Sequence, residues 1–228
     1  MRVPIIIFFH CCFNIDGKHL PASRPIVHEQ MKLLKHSGLE DAASEIYVGI
    51  NGGPESMPHA TGLLPKKAQV VYHGTQCRNE LRTLLMIEDW CRRNTGEAYI
   101  FSFHSKGASH APDSDYAKNM ATPWRQRLML HCVTEWRRCV LDLHSGFEAC
   151  GCHWLSGQGW DKSQHYFAGS FAWFRASFFR TIPSVMTRQR IKDSGVDALE
   201  SRYEVEVHLG NGPRLPLVKN YYEGNIGS

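Results

Sequence analysis

YIFSFHSKGASH, residues 99–110, is the stretch on which the fold turns. Its first five residues are mostly apolar and aromatic, the composition of a strand buried on both faces. The run stops at His104-Ser105-Lys106-Gly107, so a histidine, a lysine and a glycine arrive together at a strand's carboxyl end. Three upstream strands close in the same manner. VPIIIFFH (3–10) ends on His10, with Asn14 beyond it. EIYVGI (45–50) runs into Asn51-Gly52-Gly53-Pro54, and QVVYH (69–73) ends on His73. Open parallel sheets bind ligands beyond the carboxyl ends of their strands. A lone histidine at such a place is unremarkable; four strands that end alike make His10, Asn14, Asn51, His73, His104 and Lys106 a candidate set.

Helices are expected between these strands. Ser23 suits an N-cap and Pro25 a first turn, Val27, Met31 and Leu34 share a face, and Gly38 suits the C-terminus. A second helix is expected over 77–94, with Leu81, Leu84, Leu85, Glu88 and Cys91 along one side. Residues 54–68 and 108–121 read as loops. Thr122 and Pro123 open a long helix in which Trp124, Leu128, Cys132, Trp136, Cys139 and Leu143 recur at helical spacing, ending at Gly146. Residues 149–155 suit a strand. Residues 157–175 are too rich in glycine and aromatics for an ordinary helix, and 197–210 read as helix. Apolar strands alternating with helices predict an α/β fold, a Rossmann-like, mostly parallel central sheet flanked by helices. One domain is expected over 1–228, with two parts (1–107 and 108–212) and a surface tail (213–228).

Composition narrows the function. The formal net charge is +4 over 228 residues with a pI near 8.6, too mild a surplus to argue for nucleic acid and compatible with an anionic small ligand. The eight cysteines lack the two-residue spacing of zinc knuckles and read as reduced thiols of a cytosolic protein. The first twelve residues are too short an apolar run for a signal sequence, and no stretch is long enough to span a bilayer. A cytoplasmic location is expected, including the inner face of a membrane.

Several elements together resemble a group of small bacterial and viral glycosyltransferases of the GT-A fold. YIFSFHSKGAS is similar to the group's His-x-Lys-Gly element. HYFAGSFAWFRASFF (165–179) resembles its Gly-Asn-Phe-Trp-Trp-Ala element after a His-Tyr pair. Glu80 with Thr83-Leu84 matches Glu-x-x-Thr-Leu, WRQRLM (124–129) matches a Trp-Arg helix start, and RYEVEVHLG (202–210) resembles the closing Arg-x-x-x-Glu-x-Trp-Ile-Gly. The chain departs from the pattern at Ser170 (for Asn), Ala172 (for the first Trp) and His208 (for the late Trp).

The resemblance implies transfer of a sugar from a nucleoside-diphosphate sugar to a glycan or other hydroxyl acceptor, as in cell-surface polysaccharide synthesis, with 1–107 as the nucleotide-binding half and 108–212 as the half for acceptor and donor sugar. Charge building on the leaving diphosphate needs a cationic or polar partner. Lys106, Gly107 and His104 stand where it is expected, with His10, Asn14, Asn51, Glu80 and Thr83 toward the base and ribose. Trp124, Arg125, His165, Tyr166, Gly169, Ser170 and Trp173 are expected on the sugar and acceptor side. The base for the acceptor hydroxyl is expected to be Glu206, with Asp161 second. Divalent Mn or Mg is left open, with His104, Asp113 and Asp115 as candidate ligands. Two other readings compete: a non-catalytic nucleotide- or sugar-binding domain, suggested by Ser170 and Ala172, and a zinc protein using Cys150, Cys152 and His153.

Overall fold

The computed structural model describes residues 3–13, 20–75, 80–108, 110, 113–157, 164–196 and 202–224. Asn14 and Asp161 lie outside the described residues.

The apolar strands assemble as their composition requires. A seven-stranded sheet has the order β3-β2-β1-β4-β8-β5-β9. Its strands are β1 (Ile5–Cys12), β2 (Glu45–Asn51), β3 (Ala68–Gly74), β4 (Tyr99–His104), β5 (Ala149–Gly151), β8 (Ala172–Arg175) and β9 (Val218–Asn220). Every neighbouring pair is parallel except those made by β8, which runs against both β4 and β5. A separate hairpin pairs β6 (Trp154–Ser156) with β7 (His165–Phe167). The α/β, mostly parallel sheet flanked by helices is thus as the sequence predicts.

Strand parity divides the core in two. Ile5, Ile7, Phe9 and Cys11 of β1, with Tyr99, Phe101 and Phe103 of β4, face one layer of helices. That layer includes α1 (Leu20–His36), α5 (Thr122–Met129) and α6 (Trp136–His144). Ile6 and Phe8, with Ile100, face the other, where α4 (Leu81–Arg93) and α7 (Ala176–Phe179) pack. Short helices α2 (Leu39–Ala42), α3 (Ser56–Thr61), α8 (Gln189–Ser194) and α9 (Arg202–Glu206) complete the described set. Further along the α4 face, β1 reaches His10, and β4 reaches Ser102 and then His104; the two histidines are direct cross-strand neighbours.

Five expectations are corrected. The segment 54–68 is not all loop: it holds α3, where Ser56 Oγ and His73 Nε2 lie 3.2 Å apart. Residues 108–121 contain a π-helical turn, Ala117–Ala121, that runs directly into α5. A second π turn, Leu130–Thr134, splits the long helix into α5 and α6. Ser23 lies inside α1, not at its start, and its buried hydroxyl donates to the Phe13 carbonyl at 3.2 Å. Finally, the tail is no surface extension. Val218–Asn220 adds the edge strand β9, and Glu148 fastens the approach by accepting from Leu217 N at 2.9 Å and pairing with Arg214.

Candidate active site

The parallel register brings Gly49 of β2, His10 of β1 and His104 of β4 into one row across the sheet. Helix α4 starts above this row, with Glu80 at its N-cap position and Thr83 in its first turn. Thr83 Oγ1 and His10 Nδ1 are 3.0 Å apart in a buried hydrogen bond. Glu80 accepts a short hydrogen bond from His104 Nδ1. The close approach depends on Gly49, since a Cβ there would stand 2.8 Å from Thr83 Oγ1. The ring of Phe171 packs edge-on against His104 at 5.5 Å and fixes its plane.

These contacts set the charges. Burial, opposed by Glu80 and reinforced by His104, lowers the pKa of His10 to about 4, so its ring is neutral. Burial alone would raise Glu80, but His104 and then His10 outweigh it and hold the carboxyl well below the usual range. With an ionised carboxylate accepting at Nδ1, the His104 ring carries a proton there, and only its neutral tautomer has Nε2 as an acceptor. Among the described residues that Nε2 is buried and has no partner.

A second wall faces this row. Ser170 and Ala172, at the start of β8, and Glu206 and His208, at the end of α9 and just after it, line one cavity of about 40 Å3 with His10, Glu80, Thr83 and His104. Its inner lining is apolar and includes Leu84, Ile87, Phe174 and Phe179. His208 is held from behind: Arg188 Nη2 donates to its Nδ1 at 3.0 Å, and Arg188 in turn pairs with Glu204 at 2.8 Å. Burial, then the Arg188 charge, lowers the His208 pKa to about 3, so this ring is neutral too. Ser170 has φ 55 and follows Gly169 with φ 90, a left-handed pair that turns the chain into β8. Gly210 abuts the backbone carbonyl of His165 so closely that no side chain fits, which fixes the turn carrying His208 against β7.

The remaining sequence-predicted residues go elsewhere. After His104 the chain turns toward the opposite helical layer, with Gly107 at φ 90. Lys106 Nζ lies 3.6 Å above the Trp124 ring. Arg125 is buried, donating to the Lys106 carbonyl at 3.1 Å and to Glu29 at 3.0 Å, so it braces the turn. Gly169 lets the β7–β8 turn pass Trp124, whose ring would stand 3.0 Å from a Cβ. Trp173 offers no face to a sugar: it is fully buried, stacked on Phe101, with Nε1 donating to the Cys132 carbonyl at 2.8 Å. Tyr166 is buried in the same core, and His165 Nδ1 is within 2.7 Å of Ser156 Oγ on the hairpin. Asn51 is buried, its amide without partners among the described residues.

The candidate metal ligands are not assembled. His104 Nδ1 is taken by Glu80, Asp113 and Asp115 are exposed, and no described group of three His, Cys, Asp or Glu is arranged to hold an ion. The same holds for Cys150, Cys152 and His153, whose environment is core: Cys150 Sγ donates to the Cys139 carbonyl at 3.7 Å. Sequence reasoning missed Gly49 and the Arg188–Glu204 support. Gly49 left a signal, because a glycine inside a strand marks a close approach; nothing local links Arg188 to His208, twenty residues later.

No protein-family profile matches the chain, and no curated protein matches it in sequence. Solved structures with similarity include a protein from Desulfovibrio desulfuricans assigned as a nucleotide-diphospho-sugar transferase, at 10% identity and TM-score 0.48, covering 97% of this chain and 81% of that one. Another is 4-diphosphocytidyl-2C-methyl-D-erythritol synthase from Anaerococcus prevotii, at 8% identity and TM-score 0.48, covering 99% and 91%. A third is CMP:2-keto-3-deoxy-manno-octonic acid synthetase complexed with CTP, at 10% identity and TM-score 0.42, covering 96% and 89%. These are remote likenesses. Among the described residues no helix is long and apolar enough to cross a membrane.

Proposed function

We propose that the protein transfers a sugar from a nucleoside-diphosphate sugar to a hydroxyl of a glycan or similar acceptor. The observation that carries this reading is the row of His10, Thr83, Glu80 and His104 at the carboxyl ends of neighbouring parallel strands, facing Glu206 across one cavity. At about 40 Å3 the cavity holds only part of a substrate, since whole ligand pockets span roughly 300–1,000 Å3. The nucleotide therefore lies over the strand ends, with the sugar at the cavity mouth.

In this reading Glu206 takes the proton of the acceptor hydroxyl as its oxygen bonds to the anomeric carbon. The bond from that carbon to the diphosphate breaks, and the electron pair leaves with the phosphate oxygen. Lys106 is the cation assigned to that charge; its Nζ lies over Trp124 in the opposite layer, so it meets the diphosphate only by swinging its flexible stem back over the strand ends. The described residues do not fit a metal-ligand set, so no step is routed through an ion.

Thermal shift with UDP and GDP sugars, with and without manganese, tests the binding half. A ligand at 100 times its Kd stabilises by about 2.7 kcal/mol. For a chain of this size that raises Tm by roughly 5–11 °C. Lys106→Ala should reduce the shift, and Glu206→Gln should keep it while abolishing release of the nucleoside diphosphate. No shift with any nucleotide would overturn the reading.

A further inference from the structure

The cavity carries a polarity pattern that goes beyond nucleotide-sugar chemistry in general. Three imidazoles line it, His10, His104 and His208; the last two leave Nε2 without a partner among the described residues, and the group behind each bears on what it shows in front. His104 donates a hydrogen bond from Nδ1 to Glu80, so the neutral tautomer of this ring has Nε2 as an acceptor. His208 accepts at Nδ1 from Arg188, which has only donors, so its neutral ring must carry the proton on Nε2 and presents a donor. Both Nε2 atoms are buried and without a hydrogen-bond partner among the described residues. The nearest carboxylate to His208 Nε2, Glu88 Oε1, is 3.9 Å away and already accepts from Val185 N at 2.8 Å. A buried unpaired polar atom costs roughly 1–3 kcal/mol, and such atoms gather where a ligand completes them.

A group that meets the His208 donor and the neutral tautomer of His104 needs a carbonyl and an N–H on the same small unit. A secondary amide has both. The inner lining of Leu84, Ile87, Phe174 and Phe179 suits a methyl group beyond the carbonyl, and about 40 Å3 of space limits the occupant to little more than that. Hydroxyls are the poorer match, because a sugar hydroxyl leaves the apolar end of the cavity unfilled. Charged substituents fare worse: an ammonium would meet the His208 donor, and a carboxylate would meet the Glu206 and Glu80 side chains that also line the cavity.

We propose that this cavity recognises the acetamido group of an N-acetylated sugar, with His208 donating to its carbonyl, His104 accepting from its N–H, and Ala172 leaving room for its methyl. The assignment rests on the nucleotide-sugar reading and names the class of sugar.

The test compares ligands that differ only in this group. UDP-N-acetylglucosamine is set against UDP-glucose, UDP-N-acetylgalactosamine against UDP-galactose, and free N-acetylglucosamine against glucose by ligand-observed NMR. UDP and GDP alone report on nucleotide binding separately. The acetamido member of each pair is expected to bind at least about 10- to 200-fold tighter, the range for one methylene in an apolar pocket, to which the two hydrogen bonds add. His208→Phe keeps the ring and removes the donor; Ala172→Val fills the methyl space without touching either imidazole. Each should bring the affinity ratio toward one, and the unliganded melting temperature of each variant shows whether it is folded. Binding of UDP or GDP with equal affinity for both members of every pair overturns this assignment and leaves the nucleotide reading standing. Preference for free N-acetylglucosamine without nucleotide binding supports the cavity assignment and overturns the donor-site reading. No preference in any pair, together with no nucleotide binding, overturns both.

Discussion

Gly49→Ala isolates the contact on which the site's geometry depends. The new Cβ would stand 2.8 Å from Thr83 Oγ1, well inside the 3.4 Å at which ordinary van der Waals contact begins. The backbone at Gly49 is not left-handed, so alanine can adopt it, and its smaller unfolded-state entropy favours folding by about 0.4–1 kcal/mol. Against that gain, Thr83 must move. Turning its hydroxyl away gives up the 3.0 Å bond to His10 Nδ1 and leaves a buried nitrogen unpaired, at about 1–3 kcal/mol. The loss exceeds the gain, so Gly49→Ala should destabilise by roughly 1–2 kcal/mol. Thr83→Ala removes the same bond directly and should cost about 1–3 kcal/mol. In the double variant there is no hydroxyl left to clash, and the bond is lost only once. Urea denaturation of the wild type, both single variants and the double variant therefore should show the double variant no less stable than Thr83→Ala alone. That amounts to a coupling of about 1–3 kcal/mol, resolvable because distant sites add to within about 0.5 kcal/mol. Simple additivity, or a Gly49→Ala variant as stable as wild type, would refute the packing described.

Three further outcomes follow from other contacts. The histidines at positions 10 and 208 have folded pKa values of about 4 and about 3, below the unfolded value of 6.5. The unfolded chain thus binds protons that the folded one rejects, and stability should fall as pH drops from 6.5 toward 4, by up to about 1.4 kcal/mol per pH unit for each ring; urea midpoints that stay flat across this window would contradict it. Gly210→Ala would drive a Cβ into the His165 carbonyl, at a cost of about 3 kcal/mol, and a melting temperature within experimental scatter of the wild type would exclude that close approach. Ser170 at φ 55 should tolerate Asn and lose about 1–2 kcal/mol with the β-branched Val, so chemical denaturation in which Val matches Asn would count against the left-handed turn.

The parallel sheet was legible because its strands are apolar on both faces and close on polar residues; periodicity alone carries that signal. The site was legible only in part, and parity explains the division. His10 and His104 alternate onto the α4 face, where Glu80, Thr83 and Glu206 meet them. The sequence element His104-Ser105-Lys106-Gly107 looks like a single cradle, yet only His104 belongs to the strand; beyond it the chain turns, with Lys106 N donating to the His104 carbonyl and Gly107 at φ 90. Ser105 is buried and accepts from Cys12 N at 2.8 Å, and Lys106 reaches Trp124 on the opposite layer. Trp173 was misread for the related reason that an aromatic beside glycine fits a stacking platform and a core position equally; its parity in β8 puts it with Phe101, in the core. The tail was misread because three residues of edge strand carry too little pattern to register.

The departures from the resembled glycosyltransferase pattern acquire a common meaning from their location. Ser170, Ala172 and His208 are far apart in two segments of sequence, yet all three line the one cavity beside Glu206. Scattered loss of function would spread substitutions over the core, the support for Glu206 and the strand ends alike. Here the strand-end row keeps His10, Thr83, Glu80 and His104 hydrogen-bonded in pairs, and the substituted position 208 is braced by an Arg188–Glu204 pair. Alanine and histidine in place of two tryptophans exchange bulk for space and for a fixed hydrogen-bond donor. Such a change alters what the cavity admits while leaving the neighbouring row in position, and turnover of a labelled nucleotide sugar decides between altered specificity and binding without catalysis.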